Sequence, residues 1–545
     1  MRFKRLIAIA LAAVSVAAFV GCGEGNESGN GGESAAGGYE KYASRPKTFT
    51  FSYYASGYGA DWVDAVLKDY MDNVNTEVFV NPKRSIDNNQ SRLNIQSNIG
   101  YDLYQLEVDM FENSEYLYDL SSLLDTEVYG ESGVKVRDKI GEKNVGYYTE
   151  KDGKVYQLPQ TSLTGWNFVY NKTLLDEKLG AGEYTLPKTT DEFFAFGDML
   201  KEKGVFLSAF SGDSTNGADY TTYLYQDWFA QIMGAEGYDK YYSGYYNADG
   251  EWVFAENEPD GLLNSSEFAR VETYKIAEKF AAKSNGYMHS SSPSMQYTDV
   301  NRVFYGGKFN GSSVAPFALH FTGAWLESEV QDSIDRGSVT KKDVRAMKLP
   351  VASAIIEKLS AGVDTDEKLS AIISYVDGET SEKPSFATDD DVKIVKEARN
   401  MVGELICREF VVTKNAQNKD EIVKFLAYLC SDRAQKIASK AAKGAIVLPY
   451  GYKPTDEDMG FEISDYLKSV ADVTENAEII DLAQRNKAFC KYVLGEWVRA
   501  DGSGGTLTAS IFSGQAFKSA EVQSKTLTYY KSRWANLIAQ YNAKK

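Results

Sequence analysis

Residues 47–104 restrict the fold more than any other part of the 545-residue chain. Lys47 to Tyr54 alternates polar and large side chains, the period of a half-buried strand. Ser56-Gly57-Tyr58-Gly59 then turns into a helix from about Asp61, with Trp62, Val66, Leu67 and Tyr70 at helical spacing. Thr76–Val80 reads as a second strand, Ser91–Ile99 as a second helix and Tyr101–Tyr104 as a third strand. Strands and helices alternating at this interval build a doubly wound α/β lobe. Ligands of such lobes meet the carboxyl ends of the strands, which marks Tyr54 and Ser56 after the first strand and Glu107 and Asp109 after the third. Asp109 also suits a helix N-cap. The chain is too long for one core, so two or more lobes are expected.

In residues 152–171 the turn pair Asp152-Gly153 precedes a strand start at Val155-Tyr156, which ends at Pro159; Phe168-Val169-Tyr170 reads as the next strand. Between the two short strands, Gln160, Thr161, Ser162, Thr164 and Trp166 offer hydrogen-bonding groups and an indole. A surface loop and a ligand-lining bridge both fit that pattern. Aromatic residues make up 13% of the chain, with 37 Tyr, more than a core requires and suited to stacking on sugar rings. Tyr225 and Trp228, three apart on a probable helix, share a face that fits either packed core or a ligand platform. The Tyr-rich segment 236–254, with a hairpin turn at Asp249-Gly250, would widen a cleft or cover a lobe.

The amino terminus carries Arg2, Lys4 and Arg5, then an apolar run from Leu6 to Val20 that is short for a membrane span and reads as a signal segment, residues 1–21. Phe19-Val20-Gly21-Cys22 is similar to a bacterial lipobox, which makes Cys22 the expected lipidation site, and residues 22–46 the expected tether. Loss of the first 21 residues would make an already acidic chain, net charge −18, more acidic by three charges. That balance argues against nucleic acid as a partner. Three cysteines remain, Cys407, Cys430 and Cys490, too few for a disulfide framework; Cys430, on the apolar face of a helix, reads as a buried thiol.

Further segments recur in order: Tyr118 to Leu124, Asn171 to Leu175, Leu186 to Phe193, Val303 to Phe309 with His320 to Trp325, and Phe410 to Ala416 running into helices at 420–430 and 432–438. Together with 152–171 they resemble the family-1 extracellular solute-binding proteins of ABC importers, the group that includes maltodextrin-binding proteins. The respective family patterns are "gxlxdLtpll", "YNkdlf", "PkTwdEl", "FxxGkxAm…GxW", "gixkxsknkexAxkFlxfl" and, for 152–171, "dGkxYglP…YN".

The resemblance implies an α/β fold of two lobes, the type II periplasmic-binding-protein-like architecture, with three inter-lobe crossings. Crossings at 152–171, at Met347–Val351 and at Gly444–Tyr450 would give a first lobe of 47–163 and 350–443 and a second of 164–349 and 444–545. The segment Ile372–Val376 reads as a strand within a stretch without family landmarks. The implied function is a lipid-anchored, monomeric receptor at the outer face of the cell membrane, binding a carbohydrate between the lobes and docking on permease subunits. The expected ligand-binding residues are Tyr54, Ser56, Asp109, Gln160, Thr164, Trp166, Trp228, Trp325 and Tyr450. Trp325 is the strongest of these, because an indole face matches the axial C–H groups of a pyranose.

No cofactor or metal is expected. His289 and His320 lack neighbours at ligand spacing, and the sequence holds no zinc, nucleophile-elbow or phosphate-loop motif. Residues 213–219 resemble a calcium loop only faintly. The chain is expected not to be an enzyme; a polysaccharide-active enzyme, a sensor and an adhesin are the competing readings.

Overall fold

The computed structural model of the protein describes residues 38–54, 57–85, 88–107, 114–150, 152–212, 220–482, 489–494 and 507–544. Residues 1–37 with Cys22, as well as Ser56, Asp109 and the 213–219 segment, lie outside the described residues.

Ten strands are described: β1 (Lys47–Tyr53), β2 (Val78–Arg84), β3 (Leu103–Glu107), β4 (Gln157–Asn171), β5 (Tyr245–Ala248), β6 (Glu251–Phe254), β7 (Leu319–Thr322), β8 (Val344–Met347), β9 (Met401–Val412) and β10 (Glu478–Asp481). Eight of them form one sheet in the order β2-β1-β3-β9-β4-β7, with β10 on β9 and β8 on β4. β1 runs parallel to β2 and β3, as the alternation of residues 47–104 requires, and the Asp61–Asp69 helix buries Trp62, Val63, Val66 and Leu67. Asp102 ties β1 to the start of β3 by accepting from the Thr50 amide at 2.8 Å and hydroxyl at 2.7 Å.

The expected pair of short strands at 152–171 is one strand of 15 residues. Its first half pairs with β9 from Gln157↔Val411 to Trp166↔Gly403, and its second half with β7 and β8. β9 supplies backbone partners through the polar stretch, so no loop forms there. Register shifts fall between Pro159 and Thr161, between Thr161 and Ser162, and between Thr164 and Trp166, beside Gly165 at φ +74. β4 and β9 run antiparallel and link β1, β2 and β3 to β7 and β8 within the one sheet.

After β8 the chain builds a unit of its own before β9. Residues 351–398 build a small core of Val351, Ile355, Leu369, Ile372, Ile373 and Val395. They are fastened to the Thr190–Glu202 and Thr221–Met233 helices: Thr189 donates to Asp366 at 2.6 Å, and the Ala352 amide to Gln231 at 3.0 Å. Residues 351–398 thus pack beside Thr189 and Gln231, and the chain then enters β9. Ile372–Val376 is helical, not a strand: Thr365 caps the Asp366–Val376 helix, and Leu369, Ile372, Ile373 and Val376 fall on one stripe.

At the third crossing the Tyr450 hydroxyl donates to the Pro159 carbonyl of β4. The Asp465–Thr474 helix then lies against β8, where Ser469 accepts from the Ala346 amide at 2.8 Å. Cys430 is a buried free thiol whose pKa is pushed up to about 12 by burial. The Cys407 side chain lies outside the described residues.

Candidate ligand-binding cleft

Gln160 lies where β4 leaves the first lobe, and it is completely buried. Its carbonyl oxygen accepts from Gln105 Nε2 and from the Thr161 hydroxyl, while its own Nε2 has no protein partner. Gln105 in turn accepts from the Tyr54 amide at 3.0 Å. The ends of β1, β3 and β4 are thus joined by one amide relay, Tyr54–Gln105–Gln160. The Tyr54 ring faces the Arg408 guanidinium of β9 at 4.4 Å. Thr164 contributes backbone to β4; its side chain lies outside the described residues.

Gln105 and Arg408 were not among the expected residues. The signal for both is a polar side chain inside an otherwise apolar strand, Tyr104-Gln105-Leu106 and Ile406-Cys407-Arg408, and both are buried.

Six residues beyond Gln160, Trp166 gathers the aromatic groups. Its ring centroid is 4.7 Å from Trp325, 4.9 Å from Tyr223, 5.0 Å from Tyr220 and 5.8 Å from Phe321. The indole N–H of Trp166 is buried without a protein partner. Trp325 begins the Leu326–Asp335 helix after a turn at Gly323, where a Cβ would lie 2.2 Å from the Trp325 ring. Only glycine lets that indole fold back over the turn. From the first lobe, Gly57 meets this group directly: a Cβ there would stand 3.2 Å from Trp325 and 3.1 Å from Glu329 Oε1. The segment after β1 and the start of the Trp325 helix are therefore neighbours, and β4 carries both Gln160 and Trp166, the ring that meets Trp325.

Two expected contacts take other places. Trp228 is fully buried among Phe193, Tyr225 and Phe280, and its N–H donates to the Pro350 carbonyl at 3.0 Å. Its helix, Thr221–Met233, turns that face into the core, where Trp166 and Trp325 are fully buried as well. Tyr450, also buried, holds the backbone next to Gln160 and acts on the cleft through that bond. Tyr238, Tyr241 and Tyr242 pack under the β5–β6 hairpin, Tyr238 and Tyr241 on Phe229, so the Tyr-rich segment covers the second lobe.

Among the described residues no cluster of three metal-ligating side chains occurs. His289 contacts the Ala315 carbonyl at 3.0 Å and His320 contacts Asn301 Oδ1 at 2.8 Å. Burial pushes His320 down to about 3, so its imidazole is neutral. The seam thus offers aromatic faces, amides and one guanidinium, a set suited to holding a polar, ring-shaped molecule.

Residues 90–436 match the family model of the bacterial extracellular solute-binding proteins. The chain belongs to that family. This solute-binding protein has the family's two-lobe type II architecture. No curated protein matches it. Among solved structures, a chitin oligosaccharide binding protein superposes with a TM-score of 0.55 at 14% identity, covering 91% of this chain and 99% of its own. A substrate-binding protein from Listeria monocytogenes in complex with cycloalternan gives 0.54 at 14%, covering 90% and 99%. A family 1 extracellular solute-binding protein from Bifidobacterium longum subsp. infantis gives 0.50 at 16%, covering 90% and 100%.

Proposed function

We propose that this solute-binding protein is the carbohydrate receptor of an ABC importer, held outside the cell membrane by an acyl group on Cys22. The observation that carries the reading is the Trp166–Trp325 pair facing Gly57 across the lobe seam, beside the unpartnered amide of Gln160. Opening the seam exposes an indole face to stack on a sugar ring, and the Gln160 Nε2 and Trp166 N–H to donate to its hydroxyls. Tyr54, Ser56, Asp109 and Thr164 complete the contacts, with Trp228 and Tyr450 holding the frame. β4 and β9 serve as the hinge, and the closed monomer docks on the permease. Solved relatives of the same fold hold cycloalternan and raffinose, which favours an oligosaccharide. The protein binds and releases its ligand unchanged, as a receptor and not an enzyme.

A thermal-shift panel of oligosaccharides, peptides and polyamines on the mature chain tests this. A raised melting temperature with one class of oligosaccharide is the expected result. A shift with peptides or polyamines alone, or release of reducing ends from a glycan, overturns it.

A further inference from the structure

The Thr221–Met233 helix ends beside a cavity of about 110 Å³, walled on its other side by the Asp389–Asn400 helix and by Met401 at the start of β9. Met233 and Gly234 on its wall are partly exposed, so the cavity reaches solvent at the end of the helix. It lies apart from the Trp166–Trp325 group. Gln231, which lines it, is about 12 Å along the helix from Tyr223, the residue that packs on Trp166.

Three polar side chains line this space, Gln231, Lys358 and Glu397. Gln231 is only 3% exposed, and its carbonyl oxygen is committed to the Ala352 amide at 3.0 Å. That bond fixes the orientation of the side chain and leaves Nε2 buried without a protein partner, which is costly unless something in the cavity accepts from it. Lys358 closes the end of the helix by donating to the Ile232 carbonyl and has two further ammonium hydrogens to give. Glu397 accepts from the Ala235 amide at 2.7 Å with one oxygen, which leaves the other for a second donor. Ile394 and Ala398 make the rest of the wall apolar. A cavity of about 150 Å³ holds a ring of six carbons, so this one has room for about four or five non-hydrogen atoms.

We propose that this cavity is an accessory site for a small free α-amino acid, its carboxylate on Gln231 Nε2 and Lys358 and its ammonium on Glu397. A zwitterion satisfies the amide donor, the cation and the anion at once. A simple anion would instead meet the charge of Glu397, and a simple cation that of Lys358. The site stands whether or not the protein takes a sugar between its lobes.

The test is calorimetry of the mature chain with glycine, acetate and methylamine. Glycine is expected to bind saturably at one site, and acetate and methylamine far more weakly. Glu397→Gln keeps an acceptor for the Ala235 amide and removes the charge, whereas Gln231→Glu keeps the acceptor for the Ala352 amide and turns the free donor into an acceptor. Each is expected to weaken Kd for glycine roughly tenfold or more, the loss of one charge-assisted hydrogen bond. The ligand-free melting temperature of Glu397→Gln is expected to stay within a few degrees of the wild type, so that this variant decides alone should Gln231→Glu fail to fold. An absence of saturable heat from glycine means that the cavity holds only water and overturns the proposal. Glycine binding that is unchanged in Glu397→Gln, or acetate binding as tight as that of glycine, overturns it as well.

Discussion

Trp166 meets Trp325 edge to face, their planes at 67° and their centroids 4.7 Å apart. One ring comes from β4 and the other from the first turn after β7. Gly57, after β1, packs tightly on the same indole, where a Cβ would stand 3.2 Å from Trp325.

Replacing Trp325 with Ala removes an aromatic face whose burial is worth about 1.5–3 kcal/mol. Oligosaccharide affinity by calorimetry is expected to fall roughly tenfold to a hundredfold. Ligand-induced change in tryptophan fluorescence is expected to shrink in the same variant. Unchanged affinity would remove Trp325 from the cleft.

Gln160→Ala breaks the Tyr54–Gln105–Gln160 relay and leaves Gln105 Nε2 buried without its acceptor. A stability loss of about 1–3 kcal/mol is expected from denaturant titration, together with weaker ligand binding. The two effects separate if ligand still raises the melting temperature by the wild-type amount, which would assign Gln160 to the frame alone.

Trp228→Ala is expected to cost about 3–5 kcal/mol of stability, as for other buried tryptophans, because it empties a site between Phe193 and Phe280 and unties Pro350. Ligand affinity, measured well below the melting temperature, is expected to stay at the wild-type value. A selective loss of affinity would return Trp228 to the cleft.

His320 makes stability depend on pH. Burial holds its folded pKa at about 3, below the unfolded value of about 6.5, so the unfolded chain takes up a proton first as pH falls. The stability it allows is fully present above about pH 6.5 and is lost between there and about pH 3. Melting temperatures of the wild type and His320→Gln are expected to converge, or to cross, as pH is lowered from 7 to 4. Parallel curves over that range would mean that His320 titrates normally.

The alternation in Lys47–Tyr53 and the helical stripe of Trp62, Val66 and Leu67 were legible because each element's pattern is set by its own neighbours. β4 was read as two strands because its continuity comes from β9, which lies far along the chain and supplies the ladder for the polar stretch. The β-branched pair Ile372-Ile373 masked a helix fixed by the Thr365 cap and the wider spacing. The Tyr225–Trp228 face stayed open between core and platform because a tryptophan on a helix has the same sequence signature facing either. Gln105 was missed because a polar residue in a strand usually reads as solvent-facing, and only the fold shows it buried.

β9 fills the middle of the sheet, between β3 and β4, although it is made from residues 401–412. During synthesis β3 and β4 each wait with a bare hydrogen-bonding edge until that strand arrives, about 240 residues after β4. At roughly 5–20 residues per second the delay is on the order of ten to fifty seconds. The nascent first lobe cannot finish itself and has to be shielded from aggregation until the last of its strands slots in.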